Sequence, residues 1–319
     1  MERQKILIVV GPTASGKSAL AVALAQKING EVISADSRQV YRGLDIGTAK
    51  ITERQMHGVR HHLLNVASAR DSFSADDFLR HAQKGIADIS MRSKIPIVAG
   101  GTGFYIDALT GRITLTDVEP DAELRRKLSK KTAAQLYVLL KKKDSRRAAA
   151  MDTPSERNNK VRLIRALEIA AARTKKQQTM RVAKDGPSYD ILWIGIAPDL
   201  HELDRQIEER LRARIRHGMI AEAMHLHAKG LSYKRMLELG LEYRYLALFL
   251  QKKISRQELE TQLYSAIRRY ARKQIGYWKR NKEIVWFRPK QSVDIAKLVK
   301  VWLMDSTTIR RNKKACKAR

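Results

Sequence analysis

The chain has 319 residues, 44% of them hydrophobic, which suffices for one large domain or two ordinary ones with a proper core and excludes a disordered polymer. Its 63 Lys and Arg stand against 33 Asp and Glu, a formal net charge of +30. That field attracts polyanions, of which nucleic acid is the commonest large one.

The single cysteine, Cys316, excludes a disulfide framework and a thiol-ligated zinc site within one chain, so a reducing, cytoplasmic setting is expected. The opening MERQKILIVV has too short an apolar run for a signal peptide and no cleavage site. No stretch approaches the length of a membrane span. KILIVV (5–10) reads as a buried parallel strand ending at Gly11. Residues 18–28 have helical spacing. EVISAD (31–36) is a second strand and HHLLNV (61–66) a weaker third. A helix over 71–89 is entered through Ser and Asp caps, and IPIVAGG (95–101) is another core strand. Strands alternating with helices predict an α/β fold around a parallel sheet.

After Ile113 the pattern changes. AELRRKLSKK and YVLLKKKDSRRAAAM are helical and charged, and 173–188 is polar and loop-like. YDILWIGIAP (189–198) restores a core strand. The domain organisation expected is therefore a discontinuous core, 1–113 plus 189–290, carrying a helical insertion at 114–188. Long helices follow at 201–218, 221–230 and 256–281, then a last strand, IVWF (284–287). The tail 304–319 ends in IRRNKKACKAR, with six basic residues and no acid, and is expected to be disordered.

Gly11, Pro12, Thr13, Ala14, Ser15, Gly16, Lys17 and Ser18 spell GPTASGKS, which fits G-x-x-x-x-G-K-[ST] between a strand and a helix. Glycines let backbone N–H groups converge on phosphate oxygens, and the helix N-terminus adds positive charge. Lys17 supplies a mobile cation and Ser18 a hydroxyl for Mg²⁺. Phosphate binding does not name the reaction. A nucleotide hydrolase usually has an apolar strand ending in a metal-holding Asp. Here that strand ends in Gly100, Gly101 and Thr102, while the acid, Asp36, ends the second strand. In a doubly wound sheet these ends open at one edge, so Lys17, Asp36 and Thr102 can converge on one phosphate-bearing ligand. Asp36 as a helix cap and Thr102 as an ordinary turn residue are the competing readings.

GPTASGKS, ISADSRQVYRGLDIGTAK (33–50), HHLLNV, FSADDF (73–78) and PIVAGGTGFY (96–105) together resemble the tRNA dimethylallyltransferase family, also called tRNA isopentenyltransferases. RLIRALEIA (162–170), WIGIAPD (193–199) and RRYARKQIGYWKR (268–280) extend the resemblance over roughly 5–287. It implies a P-loop NTPase-like core. It also implies transfer of a dimethylallyl group from dimethylallyl diphosphate to the exocyclic N6 amine of adenine. That adenine lies at position 37, beside the anticodon, in tRNAs reading U-initial codons. The implied partners are the tRNA anticodon stem-loop, dimethylallyl diphosphate and Mg²⁺, and a monomer suffices.

By the same resemblance GPTASGKS holds the diphosphate and Asp36 is the general base. Thr102 contacts substrate near the breaking bond, and Arg210 contacts the diphosphate. Without the resemblance, Arg210 reads as a surface charge balanced by Glu208 and Glu209. Asp36, Ser37, Arg38 and Gln39, and Val161, Arg162, Leu163, Ile164 and Arg165, match segments that touch tRNA in the family. Asn159 stands where the family usually has Asp.

Residues 122–147 hold ten Lys and Arg against two acids, and 268–282 hold seven against none, interleaved with Tyr270, Tyr277 and Trp278. Such stripes suit a phosphate backbone, although Trp278 reads as core. Met219, Met224 and Met236 also read as core, and His57, His61 and His62 as structural or RNA-facing. Two other functions stay open on the residues alone: a small-molecule kinase with a helical lid, and a non-catalytic RNA-binding protein.

Overall fold

The computed structural model describes residues 3–116, 118–175 and 189–304. The chain begins with β1 (Lys5–Val10), α1 (Lys17–Lys27), β2 (Gly30–Ser34), α2 (Glu53–Met56), β3 (His61–His62), α3 (Ala75–Met91), β4 (Ile95–Gly100) and α4 (Gly103–Leu109). Five helices follow: α5 (Ala122–Ser129), α6 (Ala133–Lys143), α7 (Ser145–Ala150), α8 (Pro154–Arg157) and α9 (Lys160–Lys175). Then come β5 (Asp190–Ile196), α10 (Leu200–Arg216), α11 (Met219–Ala228), α12 (Tyr233–Leu239), α13 (Leu241–Leu250), α14 (Arg256–Trp278), β6 (Val285–Phe287) and α15 (Ser292–Met304).

The six strands form one sheet in the order β3-β2-β4-β1-β5-β6, every pair parallel. This is the α/β class that the alternation predicts. Apolar residues run unbroken along β1 because both faces of the sheet are covered. Ile6, Ile8 and Val10 face a core with Phe78 and Ile86 of α3, Ile106 of α4 and Trp278 of α14. Leu7 and Val9 face the opposite core, made with Leu24 of α1 and Val299 and Trp302 of α15. A third core is built largely from helices α10 to α14 and includes Leu203, Ile207, Leu211, Tyr243, Leu246 and Leu263.

The chain divides into two compact units, 1–113 with 187–319, and 114–186. The second unit has its own core, in which Leu128, Leu136 and Leu140 meet Leu163, Ala166 and Leu167. Among the described residues no helix is long and apolar enough to cross a membrane.

The structure corrects several expectations. HHLLNV contributes only His61–His62 to the sheet, because Leu63 and Asn65 take positive φ values of 63° and 58° and turn the chain away. The second strand stops at Ser34, which leaves Asp36 in the loop beyond it. Met224 is exposed, since on α11 the core-facing pair is Met219 and Ala223. Helix α9 continues to Lys175, past the expected loop boundary at 173. Helices α4, α12, α13 and α15 are additions to the elements expected from the pattern. The expected loop after Lys175, the basic tail from Asp305 and Cys316 lie outside the described residues.

Candidate active site

The phosphate loop joins β1 to α1. Gly16 sits at the head of α1 with φ +83°, and Ala14 shares the left-handed region at φ 66°. Only a glycine fits at 11: a Cβ there would stand 2.7 Å from the Ile196 carbonyl oxygen and 2.8 Å from Ser15 Oγ. Ser15 Oγ is itself buried with no hydrogen-bond partner among the described residues. Ser18 is exposed on the first turn of α1, and its hydroxyl has no partner among the described residues.

Lys17 is half-buried and its Nζ donates to the Pro12 carbonyl at 3.1 Å. Burial pushes its pKa down from 10.5 to about 8; Asp36 opposes that shift and Arg210 adds to it. Lys17 therefore senses the charges of two residues far from it in sequence.

Asp36 follows the end of β2. Its Oδ1 accepts from the Arg38 amide at 2.8 Å and the Gln39 amide at 3.4 Å, an Asx turn that fixes the carboxylate. Oδ2 has no protein partner among the described residues. Thr102 follows β4, the strand beside β2. Its Oγ1 accepts from the Ser37 amide at 3.0 Å, and its own amide donates to the Ala35 carbonyl at 3.2 Å. The parallel pairing of β2 with β4 puts these two strand ends side by side.

Arg210 of α10 is not balanced by its neighbours. Glu208 pairs with Arg212 at 2.6 Å and Glu209 with Arg205 at 2.9 Å. Arg210 is exposed, yet surrounding protein lowers its pKa; Arg214 adds to the depression and Glu242 counters it. Arg214 is held by Glu242 at 2.9 Å and by the Gly47 carbonyl at 2.7 Å. The loop 45–47 is fixed in turn by Glu222, whose carboxylate accepts three consecutive backbone amides at 2.6–2.9 Å.

Gln274 of α14 is a site residue that the sequence reading does not single out. Its Oε1 accepts from the Thr13 amide at 2.7 Å, and its Nε2 donates to the Gly101 carbonyl at 3.0 Å. One amide thus ties the phosphate loop to the glycine turn that presents Thr102. Gly101 and Gly103 let α14 approach: a Cβ on Gly103 would stand 2.0 Å from a Tyr277 ring carbon. A signal exists in the sequence, because Ile267, Ala271, Gln274 and Trp278 form the buried stripe of α14, and only one of these four carries a polar amide.

The residues 161–165 belong to the second unit. Val161 is exposed, Arg162 pairs with Glu156, Leu163 is wholly buried in that unit's core and Ile164 packs against it. Arg165 donates to the Val118 carbonyl at 2.6 Å and pairs with Glu168. Asn159 Oδ1 accepts from the Arg162 amide at 3.2 Å, an acceptor that an aspartate would equally supply. No group of three or more His, Cys, Asp or Glu side chains suited to a metal occurs among the described residues.

A family model described as IPP transferase matches residues 39–282. The chain is 35% identical over 303 residues to a tRNA dimethylallyltransferase of Leuconostoc citreum, covering 94% of this chain and 99% of that one. It is 39% identical over 279 residues to tRNA dimethylallyltransferase 1 of Hahella chejuensis, covering 86% and 87%. The crystal structure of a full-length tRNA isopentenylpyrophosphate transferase from Bacillus halodurans superposes with TM-score 0.72 at 32% identity, covering 97% of this chain and 99% of the other.

Proposed function

Because the chain belongs to the IPP transferase family, we propose that it transfers a dimethylallyl group from dimethylallyl diphosphate to the N6 amine of a tRNA adenine. The adenine is the one at position 37, beside the anticodon, in tRNAs reading U-initial codons. The enzyme works as a monomer in the cytoplasm, where its tRNA substrate is found.

The observation that supports this reading best is the pairing of β2 with β4, which brings Asp36 and Thr102 to one strand edge with the Thr102 hydroxyl tied to the residue after Asp36, beside a phosphate-loop Lys17 that senses the charges of Asp36 and Arg210. In the transfer, the adenine amine attacks the allylic carbon. The new C–N bond forms as the C–O bond to diphosphate breaks, and the electron pair leaves on a diphosphate oxygen. Charge therefore grows on phosphate, where the loop amides, Lys17 and Arg210 stand to stabilise it. An exocyclic adenine amine is a poor nucleophile, and Asp36 Oδ2 is free to take its proton as the bond forms. Thr102 orients substrate at the same turn. The adenine must leave the loop stack to reach the carbon, as in other base-modifying enzymes.

Within the phosphate loop, Ser18 offers the exposed hydroxyl suited to Mg²⁺. No carboxylate cage accompanies it among the described residues, a donor set that fits an ion held mainly by diphosphate and water. When bound, that ion would add charge neutralisation on the leaving diphosphate.

The test is incubation with labelled dimethylallyl diphosphate, unmodified tRNA and Mg²⁺. Label should enter RNA as one five-carbon unit, and Asp36→Ala should lower the rate by roughly 10²–10⁴. Phosphoryl transfer from ATP in place of prenyl transfer would establish a kinase instead. Binding of tRNA without turnover would leave an RNA-binding protein.

A further inference from the structure

The first unit carries a second cationic feature that the active site does not use. Arg42, Arg70 and Lys229 rim a cleft of about 240 Å³ whose floor is Ala69, Leu226 and Leu231. All three cations are exposed, and none has a carboxylate partner among the described residues. Arg42 Nη1 donates to the Asn65 carbonyl at 3.2 Å and Arg70 to the Lys229 carbonyl, while the Lys229 ammonium has no hydrogen bond among the described residues. Some exposed cations elsewhere on this unit find an acid one helical turn away, as Arg205 and Arg212 do. Here three positive charges overlook an apolar floor without compensation.

The walls are firmly held. Arg42's amide donates to the Ala67 carbonyl at 2.9 Å, and Arg235 Nε donates to the Ala69 carbonyl at 2.9 Å while its guanidinium lies over the Tyr41 ring. The cleft is smaller than the roughly 300–1,000 Å³ of pockets that enclose a whole small-molecule ligand. It suits one group of a larger molecule. An apolar floor under a cationic rim matches a nucleotide, with an apolar face and an anionic backbone, better than a bare phosphate, which needs donors all round. Arg42 is six residues from Asp36, 42 minus 36, so the chain separates them by at most about 20 Å.

We propose that this cleft holds one nucleotide of the tRNA a few residues from the modified adenine, with its phosphodiester among Arg42, Arg70 and Lys229 and its apolar face on Leu226 and Leu231. The inference rests on the reading that tRNA is the substrate.

The test compares Arg42→Gln/Lys229→Gln and Lys229→Glu with wild type, leaving Arg70 intact because it braces the Lys229 carbonyl. Unmodified tRNA is titrated at several salt concentrations, and dimethylallyl diphosphate is titrated as the measure of an intact core. The double variant should show a log-affinity against log-salt slope shallower by roughly 0.7, from one weakened phosphate contact. The KM for tRNA should rise several-fold with kcat and diphosphate affinity held. Arg42→Lys should keep the wild-type slope. Unchanged slope and affinity in both variants would overturn the proposal. Wild-type protein that binds tRNA with the expected slope but transfers no prenyl group would refute the proposed reaction and leave the cleft standing; wild type that binds no tRNA would end both.

Discussion

Lys17 is held where its charge is costly to the folded protein. Its folded pKa of about 8 lies below the ordinary 10.5, so the folded chain binds this proton more weakly than the unfolded chain. Stability therefore rises with pH between about 8 and 10.5, and below 8 the full cost is present. Lys17→Met should stabilise the ligand-free protein by about 1–2 kcal/mol at pH 7, allowing for the solvent this half-buried group still reaches. The advantage should shrink as pH rises from 8 towards 10.5, read by denaturant titration. The same variant should bind diphosphate more weakly, and wild-type diphosphate affinity should fall as pH rises through about 8, followed by calorimetry. An equally large loss of tRNA affinity would show that Lys17 is not confined to the diphosphate. At this scale the sequence is most legible where chemistry is local. GPTASGKS announces its own cradle, and the Asx turn of Asp36 needs only residues 36–39. Arg210 is not legible from its surroundings in sequence, because its flanking glutamates are engaged one helical turn away.

Among the elements, the outer sheet edge is tied by one buried carboxylate. Glu31, the second residue of β2, is 2% exposed, yet two cationic side chains and a histidine ring nitrogen reach it: Arg92 at 2.6 Å, Lys94 at 3.0 Å and His62 at 2.7 Å. Burial alone would push its pKa up, but the hydrogen bonds from Arg92, His62 and Lys94 outweigh it and hold it down from 4.5 to about 2. A depressed carboxylate stabilises the fold fully above its unfolded pKa and loses that contribution as pH falls through the folded one. Glu31→Gln should thus cost about 1–3 kcal/mol at pH 7. The difference from wild type should close as pH drops from 4.5 towards 2, measured by thermal melts across that range. Strand positions such as 5–10 and 95–100 are readable because a strand covered on both faces is apolar throughout. Helix α15 is not, because only Ile295, Val299 and Trp302 mark its buried stripe and what they meet is the far face of the sheet. Strand β3 is shorter than its sequence suggests for the converse reason: its apolar residues continue, but its backbone turns at Leu63.

Across the whole molecule the excess of positive charge is not evenly available. On α14 and just beyond it, Arg268 and Arg272 share Asp204, and Arg280 stacks on Tyr277. Arg269, Lys273 and Lys279 are exposed and without an ion pair among the described residues. Replacing those three with Gln should make the salt slope of tRNA binding shallower by roughly 2–3, whereas Arg272→Gln should change it by less than about one. An Arg272→Gln change as large as one third of the triple variant's would mean that total charge, and not the unpaired cations of this stripe, sets the affinity. The opposite face of the same helix holds the Gln274 amide between Thr13 and Gly101. The cationic exterior and the tie to the phosphate loop are therefore two sides of a single rod. A change at Gln274 therefore acts on the phosphate loop and on the turn before Thr102 together, although both lie far from it in the chain.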